Sequence, residues 1–83
     1  MAKRLEIQFC VPDGYKYLIA ELHYENEHFG ELNTENGHLQ LLLFPRPSAA
    51  AWAIPLEVAL DGLHKAQSQL QLRSTFFAAQ TEQ

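Results

Sequence analysis

The apolar residues change their spacing near the middle of the chain. As far as Phe44 they recur at every second position, and beyond Pro55 at every third or fourth. Period two marks a strand with one buried face, and period 3.6 marks a helix lying on a core. Leu5, Ile7, Phe9 and Val11 alternate with Glu6, Gln8 and Cys10, which predicts a first strand. Pro12-Asp13-Gly14 predicts a turn, because proline presets its φ and glycine accepts a positive one. Residues 15–24 predict a second strand, with Leu18, Ala20, Leu22 and Tyr24 on the core face and Tyr17, Ile19, Glu21 and His23 on the other. After the polar break Glu25-Asn26-Glu27, a third strand is expected over 28–34. It is the weakest by propensity, since it holds Gly30 and Asn33. Asn36-Gly37 is a strong hairpin signal. It leads into a fourth strand over 39–44, with Leu39, Leu41 and Leu43 on one face and Gln40, Leu42 and Phe44 on the other.

Pro45 and Pro47 cannot donate to a sheet ladder, so pairing ends there. Residues 48–52 read as a connection with Trp52 pinned to the core. Pro55 suits the first position of a helix, where a missing N–H costs nothing. Leu56, Ala59, Leu60, Leu63, Ala66 and Leu70 then follow at helical spacing. Gly62 costs a mid-helix position roughly 1 kcal/mol against alanine, and points to close packing on the sheet. The helix is expected to end between Leu72 and Ser74, with Phe76-Phe77 folding back or meeting a neighbour.

The fold expected is α+β: a four-stranded antiparallel meander (ββββα) with one C-terminal amphipathic helix packed on one face. Residues 1–75 make a single domain and 76–83 a tail. Leu39, Leu41 and Leu43 should meet the helix, and Trp52 should close that core. One helix cannot cover both faces of a sheet. The open face is expected to show Tyr17, Ile19, Glu21, His23, Phe29, Glu31, Gln40, Leu42 and Phe44, a mixture typical of an interface. Tyr17, Ile19, Glu21, His23, Phe29, Glu31, Leu42 and Phe44 are therefore the candidate partner-binding residues. The apolar members among them would equally pack two copies of the chain sheet on sheet, so a homodimeric structural or regulatory module is the alternative.

Charge sharpens this picture. The 83 residues carry a net charge of −4, and it is unevenly placed. Between Tyr17 and Pro45 there is no Lys or Arg, but there are Glu21, Glu25, Glu27, Glu31 and Glu35. Such a stretch argues against nucleic acid as a partner, since a phosphate backbone wants a basic stripe. It suits a basic protein partner, or simply a solvated face. No apolar run approaches the ~20 residues of a membrane span, and Glu6 and Gln8 interrupt what would otherwise resemble a secretory signal. Cys10 is the single cysteine, which fits a reducing cytoplasm.

Candidate chemistry is sparse. His23, His28, His38 and His64 do not fall at the spacings of a zinc helix or ribbon, so no metal and no cofactor is expected. Cys10 sits among acidic residues, which raise a thiol pKa and argue against a nucleophile. The serines lack a nucleophile elbow, and the glycines form no phosphate loop. His23 with Glu21 or Glu31 could act as a base and its orienter. A small enzyme is thus a third reading, and the expectation is that the protein is not one.

The segments Leu18-Ile19-Ala20-Glu21-Leu22, Glu31-Leu32-Asn33 ahead of Asn36-Gly37, Phe44-Pro45-Arg46-Pro47-Ser48, Trp52, and Pro55-Leu56-Glu57-Val58-Ala59-Leu60 with Lys65-Ala66 resemble small bacterial immunity proteins. These are encoded beside polymorphic or contact-dependent growth inhibition toxins. The resemblance spans about two thirds of the chain and carries no catalytic motif. It implies a cytoplasmic, non-enzymatic antitoxin that blocks a cognate toxin, often a nuclease. In such a complex Glu21 and Glu31 would pair with the basic groups a nuclease uses for phosphate, and Tyr17 and Phe29 would anchor.

Overall fold

A computed structural model describes residues 4–34 and 37–81, with side chains as far as Ser74. Four strands, β1 (Glu6–Cys10), β2 (Ile19–Tyr24), β3 (Glu27–Asn33) and β4 (Gln40–Leu43), precede one helix, α1 (Leu56–Thr81). The strands form one antiparallel sheet in sequence order. The α+β meander is therefore the fold.

Local chemistry explains the joints. Gly14, at φ +86°, takes the third place of a turn closed by the Tyr15 N–H donating to the Pro12 carbonyl. That turn and the bends after it delay β2 until Ile19. Glu25 and Asn26 have φ of 52° and 66°, the two positive angles of a type I′ turn. The loop between β2 and β3 is thus two residues long, and Tyr24 pairs with Glu27 and His23 with His28. Of the expected Asn36-Gly37 turn, Asn36 lies outside the described residues; the Gly37 N–H donates to the Thr34 carbonyl.

β3 is the longest strand and the most deeply buried, against its poor propensity. Its glycine is the reason it fits. A Cβ on Gly30 would strike the backbone oxygen of Leu42, so only glycine lets β4 approach. Near Gly30 the pairing slips: Leu22 faces Gly30, yet His23 faces His28. Phe29 is the extra residue of a β-bulge.

The helix begins at Leu56, one place after the first position expected for Pro55. The Ala59 N–H donates to the Pro55 carbonyl at 3.0 Å, which makes Pro55 the capping position. The helix does not stop at Leu72–Ser74. It runs to Thr81, since no glycine or proline interrupts residues 63–81. The side chains of Phe76 and Phe77 lie outside the described residues.

α1 packs on β1 and β2. Its buried stripe is Val58, Gly62, Ala66 and Leu70, a row of i, i+4 positions. The core joins Ala66 and Leu70 to Leu5, Ala20, Leu22, Tyr24, Phe29 and Leu32. Arg73 lies over the Phe9 ring at 4.3 Å, a cation–π contact that holds the helix to β1. Because the small residues face the sheet, the larger ones turn away: Leu56 is 70% and Leu60 59% exposed. The helix also leaves β4 bare. Leu39 is half-buried against the core, but Leu41 and Leu43 are 41% and 66% exposed. The expectation that Leu41 and Leu43 meet the helix is thereby corrected.

Trp52 does close the core. Its indole N–H donates to the Phe44 carbonyl at 2.8 Å, and its ring meets Phe29 at 5.9 Å. Arg46 locks this corner, donating to Glu27 at 2.8 Å and to the Ala51 carbonyl at 2.9 Å while its guanidinium lies 5.2 Å from the Trp52 ring.

Candidate functional site

The face opposite the helix is built in three rows by the strand register. In one row Cys10 faces Ile19, and Asn33 faces Gln40. In the next, Gln8, Glu21, Glu31 and Leu42 follow one another across β1, β2, β3 and β4. In the third, Glu6, His23 and His28 stand side by side, and the Phe44 ring meets His28 edge-on at 5.0 Å.

This face is more polar and more closed than its sequence implies. Ile19 is only 1% exposed and Glu31 5%. The Asn33 amide donates to Glu31 at 2.8 Å, and Gln40 donates to Asn33 at 2.7 Å, so the buried carboxylate and amide satisfy one another. Glu21, His23, Leu42 and Phe44 are half-buried and remain reachable. Tyr17 lies before β2, its ring 5.2 Å from Tyr15. Phe29 is not on this face at all. The bulge turns it into the core against Trp52, and His28 stands on the open face instead. The expected partner-binding group thus loses Phe29, and Ile19 and Glu31 support the surface from within.

Two relationships dominate the electrostatics. Glu21 and Glu31 are directly opposite one another, and β1–β4 contain no Lys or Arg. Like charges in that position are destabilising. Around Glu21 the donors are mixed: the Cys10 thiol donates to Oε2 at 3.3 Å, and His23 Nε2 lies 3.5 Å from Oε1. Burial, then the Glu21 hydrogen bond and the charges of Glu21 and Glu31, push the Cys10 thiol above its ordinary pKa. The His23 and His28 rings stack at 4.6 Å and 14°. Among the described residues, His28 Nε2 is a buried nitrogen without a hydrogen-bond partner.

His28 is the residue that sequence reasoning missed. A two-residue Glu25-Asn26 turn would have placed it beside His23, but that segment reads as a three-residue polar break. On the helix side, a separate groove runs between β4 and α1, lined by Leu39, Leu41, Leu60, Leu63 and His64. A second, rimmed by Arg4, Glu57, Asp61 and Lys65, lies beside β1. Neither contains His23, Glu21 or Glu31, the residues of the enzyme reading. No described helix is long and apolar enough to cross a membrane.

No protein-family model matches the chain, and comparison with curated proteins and with solved structures returns no match.

Proposed function

We propose that the protein is a non-enzymatic binding protein that neutralises a basic protein partner, and that the partner is a cognate bacterial toxin, as the likeness to immunity proteins implies. The observation that carries this reading is the apposition of Glu21 and Glu31 on a face whose strands supply no Lys or Arg. Two carboxylates held together cost the free protein stability, and a partner's Lys or Arg set over them repays it. Glu21 is the reachable member, and Leu42, His23 and Phe44 flank it as contact surface. A toxin that holds phosphate with basic residues, as a nuclease does, presents the complementary charge. The test is co-elution of the purified chain with the product of the neighbouring gene, at low and high salt. Binding weakened by Glu21→Lys, with rescue of cells expressing that product, is the expected result. Failure to co-elute even at low salt overturns the reading.

A second reading, the homodimer, is favoured by the exposed Leu41 and Leu43 on β4. β4 is an edge strand without a charged residue to guard it. Two β4 edges paired antiparallel would continue the sheet and join two leucine patches. Light scattering that gives a mass near 9.5 kDa at high concentration rules this out.

A further inference from the structure

We propose that Glu21, His23 and His28 form a binding site for a divalent transition-metal ion of the zinc class. Each of the three offers one ligand atom, and these atoms all lie within 4.8 Å of one another. Their closeness comes from the fold. The type I′ turn at Glu25-Asn26 sets His28 directly across from His23, and Glu21, two residues back on β2, points to the same face. The site therefore rests on two central strands rather than on a loop.

Three features make this group more than a chance meeting. The first is His28 Nε2, which solvent does not reach and no protein group satisfies. Leaving such an atom without a partner costs about 1–3 kcal/mol, and native proteins seldom do so without a reason. The second is charge. Glu21 faces the buried Glu31, and the strands offer no Lys or Arg to balance the pair. A dication beside Glu21 removes the repulsion that otherwise remains. The third is the division of labour at Glu21. Its Oε2 accepts the Cys10 thiol, while Oε1 faces His23, so the thiol holds one oxygen in place and leaves the other for the ion.

The donor set selects the metal. Two imidazoles and one carboxylate suit zinc and its first-row neighbours, whereas magnesium and calcium require oxygen. Three protein ligands leave a coordination position for water or another donor. Zinc holds nitrogen and oxygen at about 2.0–2.2 Å, so ligand atoms must close to roughly 3.4 Å apart. The stacked His23 and His28 rings must then open into a V, a movement of side chains alone. This inference does not depend on the toxin reading, because a metal-loaded face could serve any partner or none.

The experiment is a calorimetric titration of the full chain with zinc chloride, after stripping with EDTA and dialysis. One ion per chain is expected, with no heat from magnesium chloride. His23→Gln and His28→Gln should each weaken binding about tenfold or more, while His38→Gln and His64→Gln leave it unchanged. Should His28→Gln fail to fold, imidazole nitrogen spectra of the unaltered chain give the same answer. Zinc should shift the ring nitrogens of His23 and His28 and leave those of His38 and His64. Absence of binding, or binding that survives the loss of both His23 and His28, overturns the proposal.

Discussion

Leu5 occupies the space that a side chain at Gly62 would need. An ideal Cβ on Gly62 falls 2.7 Å from Leu5 Cγ and 2.8 Å from Leu5 Cβ. Those atoms sit at the base of the side chain and cannot swing aside. Gly62→Ala gains about 1 kcal/mol in helix propensity. It loses about 1–3 kcal/mol to overpacking, and here the loss should prevail. Urea denaturation is expected to show a net destabilisation, and combining the change with Leu5→Ala should give less than the sum of the two single effects.

Gly30→Ala should be worse. Its Cβ would meet the Leu42 carbonyl, and backbone inside a ladder has less freedom to yield than a side chain. A loss near the upper end of about 1–3 kcal/mol is expected, with hydrogen exchange accelerated first at the amides of β4.

Arg46 and Glu27 tie the strand 3 hairpin to the segment before the helix. Both side chains are partly exposed, so solvent discounts the ion pair. The bond to the Ala51 carbonyl and the stacking on Trp52 add to it. Arg46→Ala should cost about 1–2 kcal/mol. It should also red-shift the fluorescence of Trp52, the single tryptophan. Arg46→Lys restores the charge but not the fork of donors, and should recover only part of the loss.

The Cys10 thiol should react slowly with iodoacetamide at neutral pH, in EDTA to exclude metal. Burial and Glu21 hold its pKa above the ordinary 9.0. Glu21→Gln should move the pH–rate profile to lower pH and speed alkylation, because the thiolate is no longer opposed by that charge. Linkage fixes the sign for stability. The folded thiol holds its proton more tightly than the unfolded one, so its contribution is complete below about pH 9 and is lost as pH rises through the folded pKa. Denaturant midpoints measured above pH 9 should fall less steeply for Cys10→Ser.

Much of the fold was legible in the sequence because it rests on local rules. Alternation marked four strands in the right order, prolines ended the sheet, and Gly62 announced close packing. Other features were not local. Leu56 and Leu60 look like core residues, but the sheet selected the smaller face of the helix, since Gly62 and Ala66 permit the nearest approach. Leu41 and Leu43 look buried by alternation, yet the helix lies over β1 and β2 and never reaches them. The face itself was legible in Ile19, Glu21, His23, Glu31 and Leu42. Alternation failed at Phe29, where strict period two cannot survive an extra residue.

That extra residue makes the character of the sheet depend on counting as well as on composition. Were the loop between β2 and β3 three residues long instead of two, with Glu31 kept opposite Glu21, the bulge would vanish, strict alternation would set Phe29 beside His23, and His28 would turn toward the core. A surface that attracts cations would become an aromatic one without a single residue being replaced. The chemistry of this face is in that sense carried by the register of the sheet, and one residue moved from strand to turn rewrites it.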